Sequence, residues 1–217
     1  MPDVPEHNED AATTKWQMLY TDNHLLVVYK APGLLAQGDR TGDASLVDHA
    51  KAWLKAQYQK PGNVYVGLVH RLDRPVGGVM VLARTSKAAA RLSQQFRERR
   101  VDKVYQAIVE GSLSPREGVL EGGLDGKDCR LSYRTLAAGA HRSELEVRPH
   151  TGRKHQIRRQ LAEAGHPIVG DRRYGAKGAL ARRCIALAAT SLEFDHPTRD
   201  ERLCFGAPLP GWWPPVS

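Results

Sequence analysis

Residues 64–82 read Val64-Tyr65-Val66-Gly67-Leu68-Val69-His70-Arg71-Leu72-Asp73-Arg74-Pro75-Val76-Gly77-Gly78-Val79-Met80-Val81-Leu82. Two apolar runs flank a short charged loop, so the stretch reads as strand, loop, strand. The loop sets two potential cations, His70 and Arg71, just ahead of one carboxylate, Asp73. Pro75 fixes a backbone angle, and Gly77 and Gly78 are expected to clear side chains from around the acid. Such a segment presents one carboxylate on a rigid rim that something bulky must approach.

Working outward, strands are expected at Gln17–Thr21 and Leu25–Lys30 around the turn at Asp22-Asn23, with Ala31-Pro32-Gly33 ending the second. Residues 1–15 are acidic and proline-bearing, which predicts a mobile tail ahead of one domain over 16–217. Leu46, Ala50, Trp53 and Leu54 recur at helical spacing and predict a helix over 45–57. A second helix starts at the Thr85-Ser86 cap, with Ala89, Leu92 and Phe96 inward. Its outer face carries Lys87, Arg91, Arg97, Arg99 and Arg100; one sign dominates, which favours phosphate contact over a merely solvated face. Further strands are expected at 103–110, 131–137, 143–148 and 184–194. A third helix runs from Lys154 to Ala164, with Ile157 and Leu161 inward and Gly165 as its stop. Residues 208–217, rich in proline and tryptophan, read as an irregular strap. Helices interspersed among hairpins make the fold class α+β, with a mixed, largely antiparallel sheet.

The 217 residues suffice for one sizeable core. A net charge of +8 and a pI near 9.6 favour a polyanionic partner, most simply nucleic acid. Cys129, Cys184 and Cys204 are far apart and form no CxxC pair, which suits a reducing cytoplasm and argues against a zinc site. No apolar run is long enough to span a bilayer, so the protein is expected in the cytoplasm without membrane contact. His150, His155 and His166 match no helical ligand spacing, so no metal is expected. His70-Arg71-Leu72-Asp73 echoes a kinase loop, but the glycine-rich loop and Asp-Phe-Gly are missing from the sequence.

Three clusters carry chemistry. The first is His70-Arg71-Leu72-Asp73 and the second Lys103-Val104-Tyr105-Gln106-Ala107. The third runs Gly152-Arg153-Lys154-His155-Gln156-Ile157-Arg158, then Leu161, Gly165, Pro167, Ile168, Gly170, Asp171, Tyr174 and Gly175. There a glycine and a polar loop open a helix with cations on its first turns, the makings of a phosphate cradle. In this order the three resemble the RluA branch of the pseudouridine synthases, with its HRLDxxTSG, KxYxA and GRxHQIRxxLxxxGxPIxGDxxYG segments. The resemblance covers about residues 17–206. Two departures stand out: Val76-Gly77-Gly78 replaces the usual Thr-Ser-Gly, and Tyr29-Lys30-Ala31 replaces the usual Asn-Lys-Pro.

The resemblance implies a mixed sheet with a cleft across its middle, and conversion of uridine in tRNA or rRNA to pseudouridine with no cofactor. It makes Asp73 the essential carboxylate, Arg158 its salt-bridge partner and Tyr105 the residue against the uracil. Arg71 would fill the gap left by a flipped base. His70 would orient the loop and count with Arg153, Lys154, His155 and Arg172 on the RNA-facing side. The chain starts too close to the expected catalytic core to hold an S4-type RNA-binding domain, so a compact form is expected. With no coiled-coil or exposed apolar interface pattern, a monomer with no obligate protein partner is expected. The alternative is a non-catalytic RNA-binding or RNA-folding module on the same scaffold, favoured only by the altered Val76-Gly77-Gly78 segment. A hydrolase or nuclease using Asp73 with His70 ranks below both.

Overall fold

The computed structural model describes residues 15–180 and 184–216. The expected tail therefore lies, apart from Lys15, outside the described residues, as does the last residue of the strap. The chain opens with a hairpin, β1 (Trp16–Thr21) and β2 (Leu25–Lys30), followed by α1 (Leu46–Gln57). Ser45 caps α1 in a reciprocal box with Asp48, and Leu46, Ala50 and Leu54 point inward. Next come β3 (Gly67–Leu68), β4 (Gly77–Ala83) and α2 (Ser86–Arg97), the last capped by the Thr85 hydroxyl as expected. β5 (Asp102–Glu110), β6 (Glu117–Leu124), β7 (Lys127–Ala138) and β8 (Arg142–Pro149) follow. The chain closes with α3 (Gln156–Glu163), a 3-10 turn (Arg172–Tyr174), β9 (Leu187–Asp195) and β10 (Arg202–Gly206).

The strands form one sheet in the order β1-β2-β4-β9-β5-β8-β7-β6, with β10 added to β9 and β3 to β4. All pairings are antiparallel except β4 with β9, which touch only at Gly77–Ala188 and Gly78–Ala189. That short parallel seam joins the two halves of the sheet. It also corrects the reading of the glycines. A Cβ on Gly78, at φ +134°, would sit 2.3 Å from the Ala189 carbonyl oxygen, and one on Gly77 would sit 2.8 Å from the Pro32 ring. The glycines let β4 close against β9 and the 31–34 loop; they do not clear space over the acid.

One core lies under α1 and α3, built on Leu26, Val28, Met80, Leu82, Leu145 and Leu161. A second, on the opposite side of β2 and β4, packs α2 through Ala88 and Leu92 against Val27, Val81 and Phe194. Alternate residues of β2 and β4 feed the two cores, so both strands read as unbroken apolar runs. Three strands depart from expectation. The 64–69 run forms only the two-residue β3, where a Cβ at Gly67 would meet Tyr65 and Ala89 at 2.8–2.9 Å. β6 and β10 were not foreseen: both are exposed on alternate or successive residues, and the β6 sequence carries three glycines. Residues 208–216 do form an irregular strap, pinned where the Trp213 indole N–H donates to Glu144 at 3.1 Å.

Candidate active site

Asp73 sits in a tight turn between β3 and β4, closed by the Val76 N–H donating to the Asp73 carbonyl at 3.0 Å. The turn is braced from behind. Gly33 N–H donates to the Arg74 carbonyl at 2.7 Å, and the Arg74 guanidinium returns a bond to the Gly33 carbonyl at 3.0 Å. Beneath them lies Lys30, fully buried, whose ammonium donates to the carbonyls of Leu34 (2.9 Å), Ala31 (3.2 Å) and Arg74 (3.5 Å). Burial pushes the Lys30 pKa down to about 7, while the nearby Asp73 charge works to raise it. Lys30 therefore ties the 31–34 loop to the back of the acid's turn.

The Asp73 carboxylate faces α3. Arg158 Nη1 donates to its Oδ2 at 3.0 Å. The same guanidinium grips Asp171 with two further bonds, Nε to Oδ2 at 2.6 Å and Nη2 to Oδ1 at 2.9 Å. Asp171 is 2% exposed and Arg158 5%. Burial works against the arginine's charge, but the two carboxylates outweigh it and raise its pKa. The bidentate grip fixes the plane of the guanidinium, leaving one N–H edge for Asp73. Asp171 was quoted within the third motif but given no role, because its partner lies thirteen residues away on another element. Tyr174 was likewise missed. Its ring lies 5.0 Å from the Arg158 guanidinium carbon, and its hydroxyl meets His155 Nδ1 at 2.7 Å.

His155 is the left-handed residue (φ +55°) that starts α3, and its Nε2 stands 3.6 Å from Asp73 Oδ1. Burial lowers its pKa despite that neighbour, so the ring faces the acid uncharged near neutral pH. His70 also works inside the fold. Its Nε2 accepts the Val81 N–H at 3.0 Å, its ring stacks on Phe96 at 4.7 Å, and burial pushes its pKa down to about 3. It orients the loop as a neutral ring and offers the cleft no cation.

Tyr105 lies on β5, which pairs with both β8 and β9. Between Val104 and Tyr105 the pairing with β9 slips by one residue, a bulge whose extra residue, Thr190, lies on β9. Burial, reinforced by the charge of Asp73, raises the Tyr105 pKa and keeps the phenol protonated. Lys103, two residues earlier, shares that face of the strand and reaches the Thr151 carbonyl at 3.5 Å.

Of these groups, His70, Asp73, Lys103, Tyr105, His155 and Arg158 line one cleft of about 1400 Å³. Arg71, Arg153, Lys154 and His155 border it together with Asp73, Tyr105 and Arg158. Arg172 does not: it sits exposed on the 3-10 turn, away from the lining. The imagined cradle at the start of α3 is partly filled, since the Gln156 side chain accepts the Arg153 N–H at 3.0 Å and the Thr151 hydroxyl at 2.8 Å. The two departures from the family pattern meet each other. A Cβ on Gly77 would come within 3.2 Å of the Tyr29 hydroxyl as well as against Pro32, so the bulkier Tyr29 is matched by a residue with no side chain.

Residues 24–163 match the family model described as RNA pseudouridylate synthase. The dual-specificity RNA pseudouridine synthase RluA of Escherichia coli strain K12 is 33% identical over 88% of this chain and 92% of its own. The RNA pseudouridine synthase YhcT of Bacillus subtilis strain 168 is 32% identical over 95% of this chain and 71% of its own. Among solved structures, human RNA pseudouridylate synthase domain containing 4 superposes with a TM-score of 0.77 at 26% identity, covering 91% of this chain and 90% of that one. Asp73, its clamped arginine and the matched segment agree: the chain belongs to the RNA pseudouridylate synthases, isomerases that turn uridine in RNA into pseudouridine, and falls on their RluA side.

Proposed function

We propose that this enzyme isomerises uridines in folded tRNA or rRNA, with Asp73 as the essential carboxylate. The observation that carries this reading is the chain Asp73–Arg158–Asp171, in which a buried arginine is fixed on one side and spends its remaining edge on the acid. In the reaction the N1–C1′ bond breaks, the uracil turns, C5 bonds to C1′, the C5 proton passes to solvent and N1 takes one up, so the atoms of the uridine are conserved. Asp73 either attacks the sugar or takes a proton from it, and Arg158 holds the carboxylate in place for either role. Tyr105 packs against the base. In the resting site it is held protonated partly by the Asp73 charge. When that charge is spent on the sugar the larger cause, burial, remains, and Tyr105 is the candidate group beside the C5 proton.

A stacked uridine reaches Asp73 only after flipping out, at a cost of a few kcal/mol. Arg71, exposed beside the acid, is suited to fill the vacated space, and Arg153 and Lys154 to hold phosphates. The site is assembled from a single chain, which supports action as a monomer, and the substrate class supports a cytoplasmic location. Tritium release from C5-labelled uridine tests the whole reading, using tRNA and rRNA transcripts that carry no pseudouridine. Wild-type protein releases tritium from at least one pool. Asp73→Asn releases none while still binding RNA; turnover by that variant removes the central assignment.

A further inference from the structure

The cations of α2 fall into two groups that the sequence does not separate. Arg91 donates to the Pro197 carbonyl at 2.7 Å. Arg100 is neutralised by Glu98 at 2.8 Å and Asp195 at 2.9 Å. Arg97 and Arg99 line the cleft, and among the described residues neither has an acidic group within ion-pair distance. The one acid between them in sequence, Glu98, is turned away and held by Arg100 and by Gln94 at 2.7 Å. The negative end of the helix accounts for a cation at Arg97. It does not account for Arg99, which lies just past the helix in the left-handed region at φ +59°. That position after a helix is the usual place for glycine, because a side chain there is strained. A strained arginine, aimed into a cleft and left without an anion, is poised for one from outside.

We propose that Arg97 and Arg99 bind two backbone phosphates of the RNA strand lying along the α2 side of the cleft. The proposal rests on the cleft being the RNA site. Arg153 and Lys154 border the same cleft from the loop that leads into α3, so the two pairs would hold the backbone from different elements around Asp73. Lys103, on the strand that carries Tyr105, extends the cationic lining between them.

The test is the salt dependence of binding to the unmodified tRNA and rRNA transcripts, from about 50 to 200 mM salt. Three proteins are compared: wild type, Arg97→Gln/Arg99→Gly, and Lys87→Gln, a control on the same helix outside the cleft lining. Losing two phosphate contacts lowers the slope of log K against log salt by about 1.4–1.8 and weakens binding about tenfold or more at low salt. Lys87→Gln leaves the slope in place. Because glycine suits the left-handed position, Arg99→Gly alone melts no lower than wild type yet loses about 0.7–0.9 of the slope. An unchanged slope in the pair overturns the proposal, as does an equal fall for Lys87→Gln, which would mean a diffuse field rather than contacts. Wild type that releases tritium while the pair binds normally fails this proposal alone; wild type that neither binds nor converts RNA fails the underlying reading as well.

Discussion

Asp22 and Asp73 both lie in turns and both face an arginine, a histidine and a tyrosine, yet their carboxylates are held very differently. Asp22, between β1 and β2, accepts the backbone N–H groups of His24 and Leu25, each at 2.7 Å, and the Tyr20 hydroxyl at 3.0 Å. Arg199 donates to it at 2.6 Å and His196 at 2.8 Å. His196 Nδ1 already accepts from Thr198 and Arg199 backbone N–H groups, which leaves the ring hydrogen on Nε2 for Asp22. Burial pushes the Asp22 pKa up, but these bonds outweigh it and hold it at about 2. The Asp73 carboxylate accepts one hydrogen bond among the described residues, from Arg158, and its histidine stands off at 3.6 Å. A saturated carboxylate ties a chain together; an unsaturated one, set at a cleft, keeps lone pairs for a substrate.

The largest effect should come from the arginine that serves the unsaturated acid. Arg158→Met strands Asp171 in the core and frees Asp73, so turnover disappears and stability falls by about 3–5 kcal/mol. Denaturant titration beside the tritium assay checks both; a variant as stable as wild type would mean that Asp171 finds another partner. Asp22→Asn should act on stability alone. It loses hydrogen bonds to a charged acceptor, at about 1.5–3 kcal/mol, while turnover per folded molecule stays unchanged. Its pKa is depressed on folding, so its stabilisation is present above the ordinary carboxylate value near 4 and is lost as pH falls through about 2. Below about pH 4 wild type therefore loses stability more steeply than Asp22→Asn. Loss of turnover in that variant would break the contrast between the two acids.

What could be read from the sequence was what local chemistry dictates. Thr85 marks a helix start because its hydroxyl caps its own helix, and the spacing of Leu46, Ala50 and Leu54 marks the stripe that α1 buries. The Asp22 centre was invisible, since His196 reaches it across 174 residues and carries no motif. Within the site, Asp73, Tyr105 and Arg158 were legible because a resemblance ordered them, and the structure sets Arg158 on Asp73 with Tyr105 in the same cleft. The clamp that orients Arg158 was not legible, because a motif gives order and not distance. Arg172 stands exposed on its 3-10 turn outside the cleft lining, a placement that the order of residues in a motif does not reveal. The same holds for α2, where five cations of one sign proved to include some already neutralised or bonded inside the fold. The glycines after Asp73 looked like room for a substrate, whereas the seam between β4 and β9 needs them.

His155 tests the comparison at its finest point. A 3.6 Å separation from Asp73 is too long for a hydrogen bond, and burial keeps the ring uncharged, so it adds little to holding the acid. Its firm bond is to the Tyr174 hydroxyl at 2.7 Å, and its backbone is left-handed. His155→Asn suits that backbone and removes the ring. The expected cost is about 1 kcal/mol, the worth of one ordinary hydrogen bond. His196→Asn, by contrast, removes a donor bonded to Asp22 at 2.8 Å from a side chain only 1% exposed. Its cost should be larger, and it should fall on stability without touching turnover. Matched denaturant titrations of the two variants decide the matter. If His155→Asn proves as costly as His196→Asn, then Asp73 is held as tightly as Asp22, and its open coordination is not what distinguishes it.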